Sequence, residues 1–192
     1  MVKAQNPQME KHSLKKEAQL SSVQAWVGLG GNLGNVQETL CAALQALHDV
    51  PQIKNIEVSS FYRSAPVDAG GEDFVNAVAR FQTTLKPLPL LHLLQAIEQQ
   101  FGRERPYWHA PRTLDLDLLL YDDLVMQGSE LTLPHHAMHE RAFVLLPIAE
   151  LDELVVVPHH GAVKELLNGV KDQPIERIES ALWCDTDERG VD

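Results

Sequence analysis

The sequence predicts a single-domain α+β fold, and two observations lead to that prediction. Segments that alternate apolar and polar residues, typical of strands, are interspersed with segments whose apolar residues recur at helical spacing. Over residues 25–120 the order is strand, helix, strand, strand, helix, strand. That order is the ferredoxin-like β-α-β-β-α-β core, an antiparallel sheet with flanking helices.

The first half of this order begins with a strand at residues 25–30, followed by a glycine-rich turn at 30–34. Asn35, with Glu38 three residues later, resembles a capping box, in which both residues bind the first backbone amides of a helix. The helix that follows has apolar residues on one face, and Pro51 marks its end.

The second half begins with strands at residues 55–62 and 74–83. Pro87 is in a position typical of the first turn of a helix, and Gly102 is in one typical of the residue after the last turn. A last strand then runs through residues 114–120. We expect this strand to lie centrally in the sheet, where it would be rigid.

Beyond residue 120 the elements are shorter. The pattern predicts strands at residues 131–133 and 154–157, a helix from about His139 to Leu151 that Pro147 is expected to kink or divide, and a short helix at 163–167. The domain is expected to span residues 23–170. Residues 1–22 are predicted to be a flexible extension and residues 171–192 a polar one, because neither shows a convincing periodicity.

Composition excludes several classes of protein. The sequence has no apolar run of the roughly 18 residues that a membrane span needs, and its N-terminus lacks the apolar segment of a signal peptide. The formal net charge of −11 argues against general nucleic-acid binding. We therefore expect a cytoplasmic protein that binds neither membrane nor nucleic acid.

The strand at residues 114–120 carries two carboxylates where apolar residues would be ordinary. Asp115 and Asp117 are two residues apart, so both project from one face, with Cα atoms about 6.6 Å apart. Leu114, Leu116 and Leu118 point to the other face, into a core. Adjacent carboxylates repel one another unless a cation lies between them, and Mg²⁺ favours such ligands together with substrate phosphates. The alternative is an exposed edge strand with two aspartates by chance.

Residues 102–112, directly before this strand, contain Arg103, Arg105 and Arg112. Such a cluster in an acidic protein suggests a focused anion site, because one guanidinium group can donate two parallel hydrogen bonds to the oxygens of a phosphate. A solvated charged loop is the usual alternative. The position of the cluster, next to the two aspartates, favours a site for a metal–nucleotide complex.

Two other motifs carry less weight. The glycines of residues 28–34 lack the third glycine of a dinucleotide fingerprint and the Gly-Lys-Ser/Thr end of a phosphate-binding loop, so a tight strand-to-helix turn explains them better. His135 and His139 have the spacing of zinc ligands on a helix, but Pro134 interrupts the local helix and no third ligand is evident.

Taken together, the motifs resemble the 6-hydroxymethyl-7,8-dihydropterin pyrophosphokinase family of folate biosynthesis. The resemblance covers about residues 25–170 and includes Pro-Arg-Thr-Leu-Asp-Leu-Asp at residues 111–117. Its other parts are Leu-Gly-Gly-Asn-Leu-Gly at 29–34, Ser-Ser-Phe-Tyr-Arg-Ser-Ala-Pro at 59–66, Phe-Val-Asn-Ala at 74–77, Ile-Glu at 97–98, Gly-Arg at 102–103, and Leu-Pro-His at 133–135 with Met138, Arg141 and Phe143. It implies transfer of diphosphate from ATP to the pterin hydroxymethyl group, with AMP as the other product.

The resemblance also implies roles for individual residues. Asp115 and Asp117 would hold two Mg²⁺ ions with ATP, and Arg103 and Arg112 would stabilise charge on the phosphates. The residues expected around ATP are Gln95, Glu98, Arg105, Arg112, Leu118, Thr132, His135 and Arg141. Those expected around the pterin are Ser64, Ala65, Val67, Phe74, Asn76, Asp115 and Phe143. The substrates are ATP and the pterin, and a monomer is expected.

Two rival functions use the same residues. A magnesium-dependent phosphohydrolase or nuclease could use the aspartate pair without a pterin. A non-catalytic protein that binds a pterin or nucleotide would not need both Asp115 and Arg103, although the sequence has both.

Overall fold

The computed structural model describes residues 22–65, 72–102 and 113–178, which form helices, strands and short 3₁₀ helices. The helices are α1 (Val36–His48), α2 (Pro87–Gln100), α3 (Ala142–Leu151) and α4 (Val163–Leu166), with 3₁₀ helices at Met138–Glu140 and Leu167–Gly169. The strands are β1 (Val23–Gly31), β2 (Ile53–Val58), β3 (Phe61–Ser64), β4 (Phe74–Thr83), β5 (Asp115–Tyr121), β6 (Met126–Gln127), β7 (Thr132–Leu133), β8 (Val156–Val157), β9 (Gly161–Ala162) and β10 (Ile175–Ile178).

The main sheet has the order β10-β3-β4-β1-β5, and its pairings are antiparallel. β2 also pairs with β4, so β2 and β3 follow one another along the same strand. With β2 and β3 counted as one strand, the sheet has the strand order of the predicted β-α-β-β-α-β core, and the ferredoxin-like prediction is confirmed.

The predicted strand at residues 55–62 is interrupted where β2 gives way to β3. At the break, the Ser59 amide donates to the Val78 carbonyl over 2.9 Å, and the Val78 amide donates to the Ser59 hydroxyl over 3.0 Å. The serine side chain therefore takes the place of a backbone acceptor, and it keeps β4 paired across the break.

The two faces of the sheet are covered differently. On one face, α1 and α2 pack apolar residues such as Leu40, Leu44 and Leu94 against β1, β4 and β5. On the other face, α3 packs against Trp26, Val78 and other residues of a second apolar cluster. This second face is the one on which the candidate site lies.

The predicted start of α1 and the predicted end of α2 are confirmed. Asn35 is the N-cap of α1, and its side chain accepts a hydrogen bond from the Glu38 amide over 3.5 Å. Phe101 is the C-cap of α2, and Gly102 follows it with a φ of 78°, which favours glycine. α3 runs without a break through Pro147, so the predicted division at this residue does not occur, and the helix begins at Ala142 rather than near His139, because Arg141 is extended.

The predicted central position of the Asp115 strand is wrong. Within the described part of the chain, β5 pairs with β1 alone and lies at the edge of the sheet. Side-chain and loop contacts replace a neighbouring strand on its outer side: Glu98 accepts from the Leu116 amide over 2.9 Å, and the His135 amide donates to the Leu119 carbonyl over 2.9 Å.

The predicted domain boundary at residue 170 is too early, because β10 adds a strand to the main sheet beside β3. The expectation of a flexible extension at residues 1–22 concerns residues that lie, apart from Ser22, outside the described ranges, and it stays a prediction. Within the described residues, no helix combines the length and apolarity needed to cross a membrane.

Candidate active site

Strand pairing places one polar row across the sheet, made of Asp115, Gly30, Asn76 and Tyr62. Asp115 on β5 is opposite Gly30 on β1, Gly30 is opposite Asn76 on β4, and Asn76 is opposite Tyr62 on β3. Directly paired residues of antiparallel strands project from the same face. A carboxylate and a carboxamide therefore face the same space, separated by a residue without a side chain.

A second row lies beside the first, because Asp117 pairs with Gly28. The Leu119 side chain covers Gly28, where a Cβ atom would lie 3.5 Å from a leucine methyl carbon, whereas Gly30 separates Asp115 from the Asn76 amide. A Cβ atom on Gly30 would lie 3.0 Å from the Asn76 side-chain oxygen and would crowd the amide. Gly28, Gly30 and Gly31, predicted to form a tight turn, are therefore strand residues, and Gly30 leaves room for the Asn76 amide. In this motif only Gly34 has a positive φ, of 69°.

The two-sided character of β5 agrees with the alternation in its sequence. Leu114, Leu116 and Leu118 are buried in the cluster beneath α1 and α2. Asp115 and Asp117 are half-buried on the opposite face. The carboxylates are thus held by a strand whose other side is fixed in the core.

A buried hydrogen bond fixes Asn76. Its side-chain nitrogen donates to the Ser64 hydroxyl over 2.9 Å, and both residues are less than a tenth exposed. The bond leaves the Asn76 oxygen and one N–H available to a ligand. Phe74 lies on the same face of β4 two residues earlier and is half-buried.

Phe143, also predicted to contact the pterin, lies in the first turn of α3. It is half-buried against the second apolar cluster, and the Arg141 guanidinium carbon lies 5.6 Å from the centre of its ring. Ala65, also predicted to contact the pterin, is exposed directly after β3. The structure therefore gathers five of the predicted pterin residues, Asn76, Ser64, Phe74, Asp115 and Ala65, on or at the end of neighbouring strands.

A cavity of about 250 Å³, here called the edge cavity, lies along the outer side of β5. Asp117 lines it together with Leu118, Thr132 and His135, three residues predicted to contact ATP. Its other lining residues are Leu91, Gly128, Ser129, Glu130, Leu131 and His136. The cavity therefore begins at the carboxylate pair and extends away from the polar row.

A β-bulge in β5 brings His135 to this cavity. Val27 pairs with Leu118 and Trp26 with Leu120, so Leu119 is an extra residue in β5. The Leu119 carbonyl accepts from the His135 amide, as described above. The bulge thus provides the backbone contact that holds His135 beside the edge cavity.

His135 carries no charge at neutral pH. Burial, together with the nearby His136 and Arg141, lowers the pKa of His135 to about 4 against an opposing effect of Asp115. The same interactions show that Arg141 and Asp115 both lie near this imidazole. A neutral ring can donate or accept a hydrogen bond there without adding charge to the site.

Two residues predicted to contact ATP do not line the edge cavity. Glu98 on α2 is 1% exposed, and one of its oxygens accepts from the Leu116 amide, so it supports β5 from behind. Gln95, about one helical turn earlier, is half-buried.

Arg103, Arg105, Arg112 and Val67 lie outside the described residues. The residues that flank the arginine segment are held together, because the Thr113 hydroxyl donates to the Phe101 carbonyl over 2.7 Å. Thr113 precedes Asp115 by two residues. The two described residues that flank the segment, Phe101 and Thr113, are therefore in contact close to the start of β5.

The structure gives no support to the zinc interpretation of the histidines. The ring of His139 stacks on that of His160, with centroids 3.6 Å apart, whereas His135 packs against His136 at 4.5 Å. In the described ranges, no three histidine, cysteine or acidic side chains are grouped so that they could hold a metal ion.

Sequence reasoning missed Tyr62 as a member of the polar row, and it missed that Gly30 separates Asp115 from Asn76. Both become visible only when the register of β1 with β4 and β5 is known. The Ser-Ser-Phe-Tyr-Arg-Ser motif was the one available signal for Tyr62.

Comparisons with known proteins agree with one another. Residues 26–153 match the family model of 7,8-dihydro-6-hydroxymethylpterin-pyrophosphokinase. The chain is 40% identical over 157 residues to 2-amino-4-hydroxy-6-hydroxymethyldihydropteridine pyrophosphokinase of Haemophilus influenzae, covering 81% of this chain and 98% of the relative. It is 41% identical over 157 residues to the protein of the same name from Pseudomonas aeruginosa, covering 81% and 97%.

Solved structures show the same fold. A Plasmodium falciparum HPPK-DHPS triple mutant superimposes with a TM-score of 0.64 at 14% identity, over 79% of this chain. The chain spans 45% of the length of that protein.

Proposed function

The chain belongs to the 7,8-dihydro-6-hydroxymethylpterin-pyrophosphokinase family, and we propose that its activity resides where the polar row meets the edge cavity. The reaction transfers diphosphate from ATP to 6-hydroxymethyl-7,8-dihydropterin and leaves AMP, in folate biosynthesis. The observation that carries the location is the placement of Asp115 and Asp117 on one face of β5, where Asp115 belongs to the polar row and Asp117 lines the edge cavity.

The pterin would occupy the open face over Gly30. The Asn76 amide can pair with the donor and acceptor atoms of a pterin edge, because Ser64 already satisfies one of its hydrogens. Phe74 and Phe143 can pack against the two faces of a flat heterocycle. Asp115, Ser64, Ala65 and Val67 complete the set that we assign to the pterin.

ATP would extend from the aspartates into the edge cavity, alongside Leu118, Thr132 and His135. Arg141 is near enough to act on the electrostatics of His135, which suits a contact with phosphate. We assign Arg103, Arg105 and Arg112 to the phosphates on the basis of the family resemblance. Gln95 and Glu98 would support this wall, and for Glu98 the support is a hydrogen bond to the backbone of β5.

The donor set of the carboxylate pair fits Mg²⁺, which prefers hard oxygen ligands on a rigid element and shares them with phosphates. Asp115 and Asp117 would hold two ions. When bound, these ions would neutralise charge on the phosphate oxygens.

The protein's own side chains would then do two things. They would orient the pterin hydroxyl toward the β-phosphorus of ATP, and they would stabilise the negative charge that develops during transfer. The new bond joins the hydroxyl oxygen to the β-phosphorus, and the bond from that phosphorus to the α,β-bridging oxygen breaks, so AMP leaves with the bridging oxygen.

The broader setting follows from the same assignment. We propose that the chain acts as a monomer in the cytoplasm on these two small substrates.

A hydrolase that needed only the carboxylates would leave the buried Asn76–Ser64 pair without a ligand, which favours the transferase over that rival.

Replacing Asp115 or Asp117 by asparagine tests the location of the site. Each variant is expected to lose about 10²-fold or more in turnover, the range for removal of one key electrostatic group. The fold should persist, as seen by circular dichroism, because the leucines of β5 face the opposite side. Asp123→Asn, in the exposed turn after β5, is the matched control and should turn over normally. Turnover within threefold of normal in either site variant would contradict the assignment.

A further inference from the structure

Gln173 makes an unusual pair of contacts from outside the predicted domain. Its side-chain nitrogen donates to the Glu140 carbonyl over 2.7 Å, and its side-chain oxygen accepts from the Ala142 amide over 2.8 Å. Glu140 and Ala142 are the residues on either side of Arg141. One carboxamide therefore spans Arg141 and binds the backbone before and after it, as a neighbouring strand would.

Arg141 lies at a break between two helices, where its own amide donates to the Met138 carbonyl and its carbonyl accepts from the Val144 and Leu145 amides. Arg141 is extended, with φ −120° and ψ 117°, and it separates the 3₁₀ helix Met138–Glu140 from α3. It is the N-cap of α3, but its side chain makes no capping hydrogen bond. The first amides of a helix have no partner within the helix, and Gln173 provides one for Ala142.

The Arg141 side chain takes no part in capping the helix, because a guanidinium has no acceptor for the helix amides. Its guanidinium lies 5.6 Å from the centre of the Phe143 ring and close enough to His135 to affect its titration. Both neighbours belong to the proposed site. A rotation of the Arg141 backbone would carry the guanidinium away from them.

Gln173 is itself well placed to hold this geometry. Val170, three residues earlier, is 5% exposed in the apolar cluster that includes α3, and its carbonyl accepts from the Gln173 amide over 3.1 Å. Two residues later the chain enters β10, which pairs with β3. The turn that carries Gln173 is thus anchored on both sides.

We propose that Gln173 is a positioning residue, which holds the backbone of Arg141 so that the guanidinium is preset to receive the ATP phosphates. The proposal rests on the proposed function, since it takes Arg141 as a phosphate contact. Gln173 touches neither substrate in this assignment, and it lies in the segment that the sequence predicts to be a polar extension.

The test compares variants of Gln173 in the full-length chain. Gln173→Ala removes both contacts and should raise the KM for ATP about five- to tenfold while kcat stays within about twofold. Gln173→Glu keeps an oxygen for the Ala142 amide but loses the donor to Glu140, so its KM should lie between those of the alanine variant and the native chain. Asp172→Ala, the exposed neighbour, is the control and should leave both constants unchanged.

Gln173 is exposed at the surface, so these variants should fold, and circular dichroism checks this. A KM for ATP within twofold of normal in Gln173→Ala would overturn the proposal. So would an equal rise in the Asp172→Ala control.

A double-mutant cycle with Arg141→Ala separates this proposal from the proposed function. If Gln173 acts through Arg141, adding Gln173→Ala to Arg141→Ala should weaken ATP binding no further. Full additivity would show that Gln173 acts by another route and would refute the positioning role. If Arg141→Ala alone binds ATP normally, the phosphate role of Arg141 is wrong, and Gln173 loses its proposed purpose with it.

Discussion

Gly31 shows how closely two backbones approach where β1 meets the start of β5. A Cβ atom at this position would lie 2.6 Å from the Thr113 carbonyl oxygen and 3.1 Å from a Val36 methyl carbon. The first distance is far shorter than a van der Waals contact, and the neighbour is backbone, which cannot move aside independently. The close approach therefore requires glycine.

Gly31→Ala should lower the free energy of unfolding by about 1–3 kcal/mol, the usual cost of overpacking. It should also lower turnover, because Thr113 is displaced and leads directly to Asp115. Gly169→Ala is the control, since nothing lies within 4 Å of a Cβ there, and it should change stability by less than about 0.5 kcal/mol. Urea unfolding of both variants measures the difference. Equal stability of the two would show that β1 and Thr113 can separate without cost.

At this scale the sequence predicts which face of a strand a residue lies on better than it predicts the partner of that residue on the next strand. The alternation of β5 correctly assigns its leucines to the core and its aspartates to the opposite face. The partners of Asp115 and Asn76 depend on strand register, which is set by contacts between distant parts of the chain. For the same reason Gly30 could not be recognised from the sequence as the residue that separates Asp115 from Asn76.

Among the elements, α3 is held to the sheet by one carboxylate near its C-terminal end. Glu150 accepts hydrogen bonds from the Ser60 amide over 3.1 Å, the Ser60 hydroxyl over 2.7 Å and the Tyr62 hydroxyl over 2.8 Å. Arg177 on β10 donates to it over 2.9 Å. The carboxylate thus joins α3, which carries Phe143, to the strand that carries Ser64.

This network predicts how stability depends on pH. Burial tends to raise the pKa of Glu150, but hydrogen bonds from Ser60 and Tyr62, with the charge of Arg177, lower it below its usual 4.5. A group whose pKa is lower in the folded state stabilises the protein above its unfolded pKa, and that contribution is lost as the pH falls through the folded value.

Glu150→Gln should therefore be about 1–3 kcal/mol less stable than the native chain at pH 7, the range for hydrogen bonds to a charged group. The difference should shrink progressively as the pH falls below 4.5. Unfolding measured between pH 3 and pH 8 gives this difference directly. Glu153→Gln, an exposed carboxylate just after α3, is the control and should show no such trend. A stability difference for Glu150→Gln that does not change with pH would contradict the account.

Longer elements were predicted from sequence more accurately than short ones. Both long helices and the strands β1, β4 and β5 have clear periodicity, whereas β10 has four residues with only its first and last partly buried. Its exposed middle residues, Glu176 and Arg177, give no alternating signal. Its place in the sheet depends on pairing with β3, which is distant in sequence.

At the scale of the whole molecule, β10 joins the end of the described chain to β3, the strand that carries Ser64 of the proposed pterin site. Ile175 pairs with Ser64, the residue that fixes Asn76, and Arg177 reaches Ser60 and Glu150. The strand therefore supports β3 from its outer edge.

Two shortened chains, ending after residue 174 and after residue 178, differ only in this strand. The shorter chain should have a lower melting temperature and weaker binding of a pterin analogue, because β3 loses its outer neighbour. Calorimetry on both chains measures the two quantities, and neither contains residues 179–192, so the comparison isolates β10. Equal stability and equal pterin binding would show that the strand is dispensable.

The central claim for the molecule is that two substrates meet at the carboxylate pair and that diphosphate passes between them. The most direct measurement incubates the protein with ATP, Mg²⁺ and 6-hydroxymethyl-7,8-dihydropterin and identifies the nucleotide products by chromatography. AMP should accumulate in equal amount to the pterin diphosphate, and only when Mg²⁺ and the pterin are both present. Accumulation of ADP, or release of AMP at the same rate without the pterin, would contradict the claim and favour an ordinary kinase or a hydrolase.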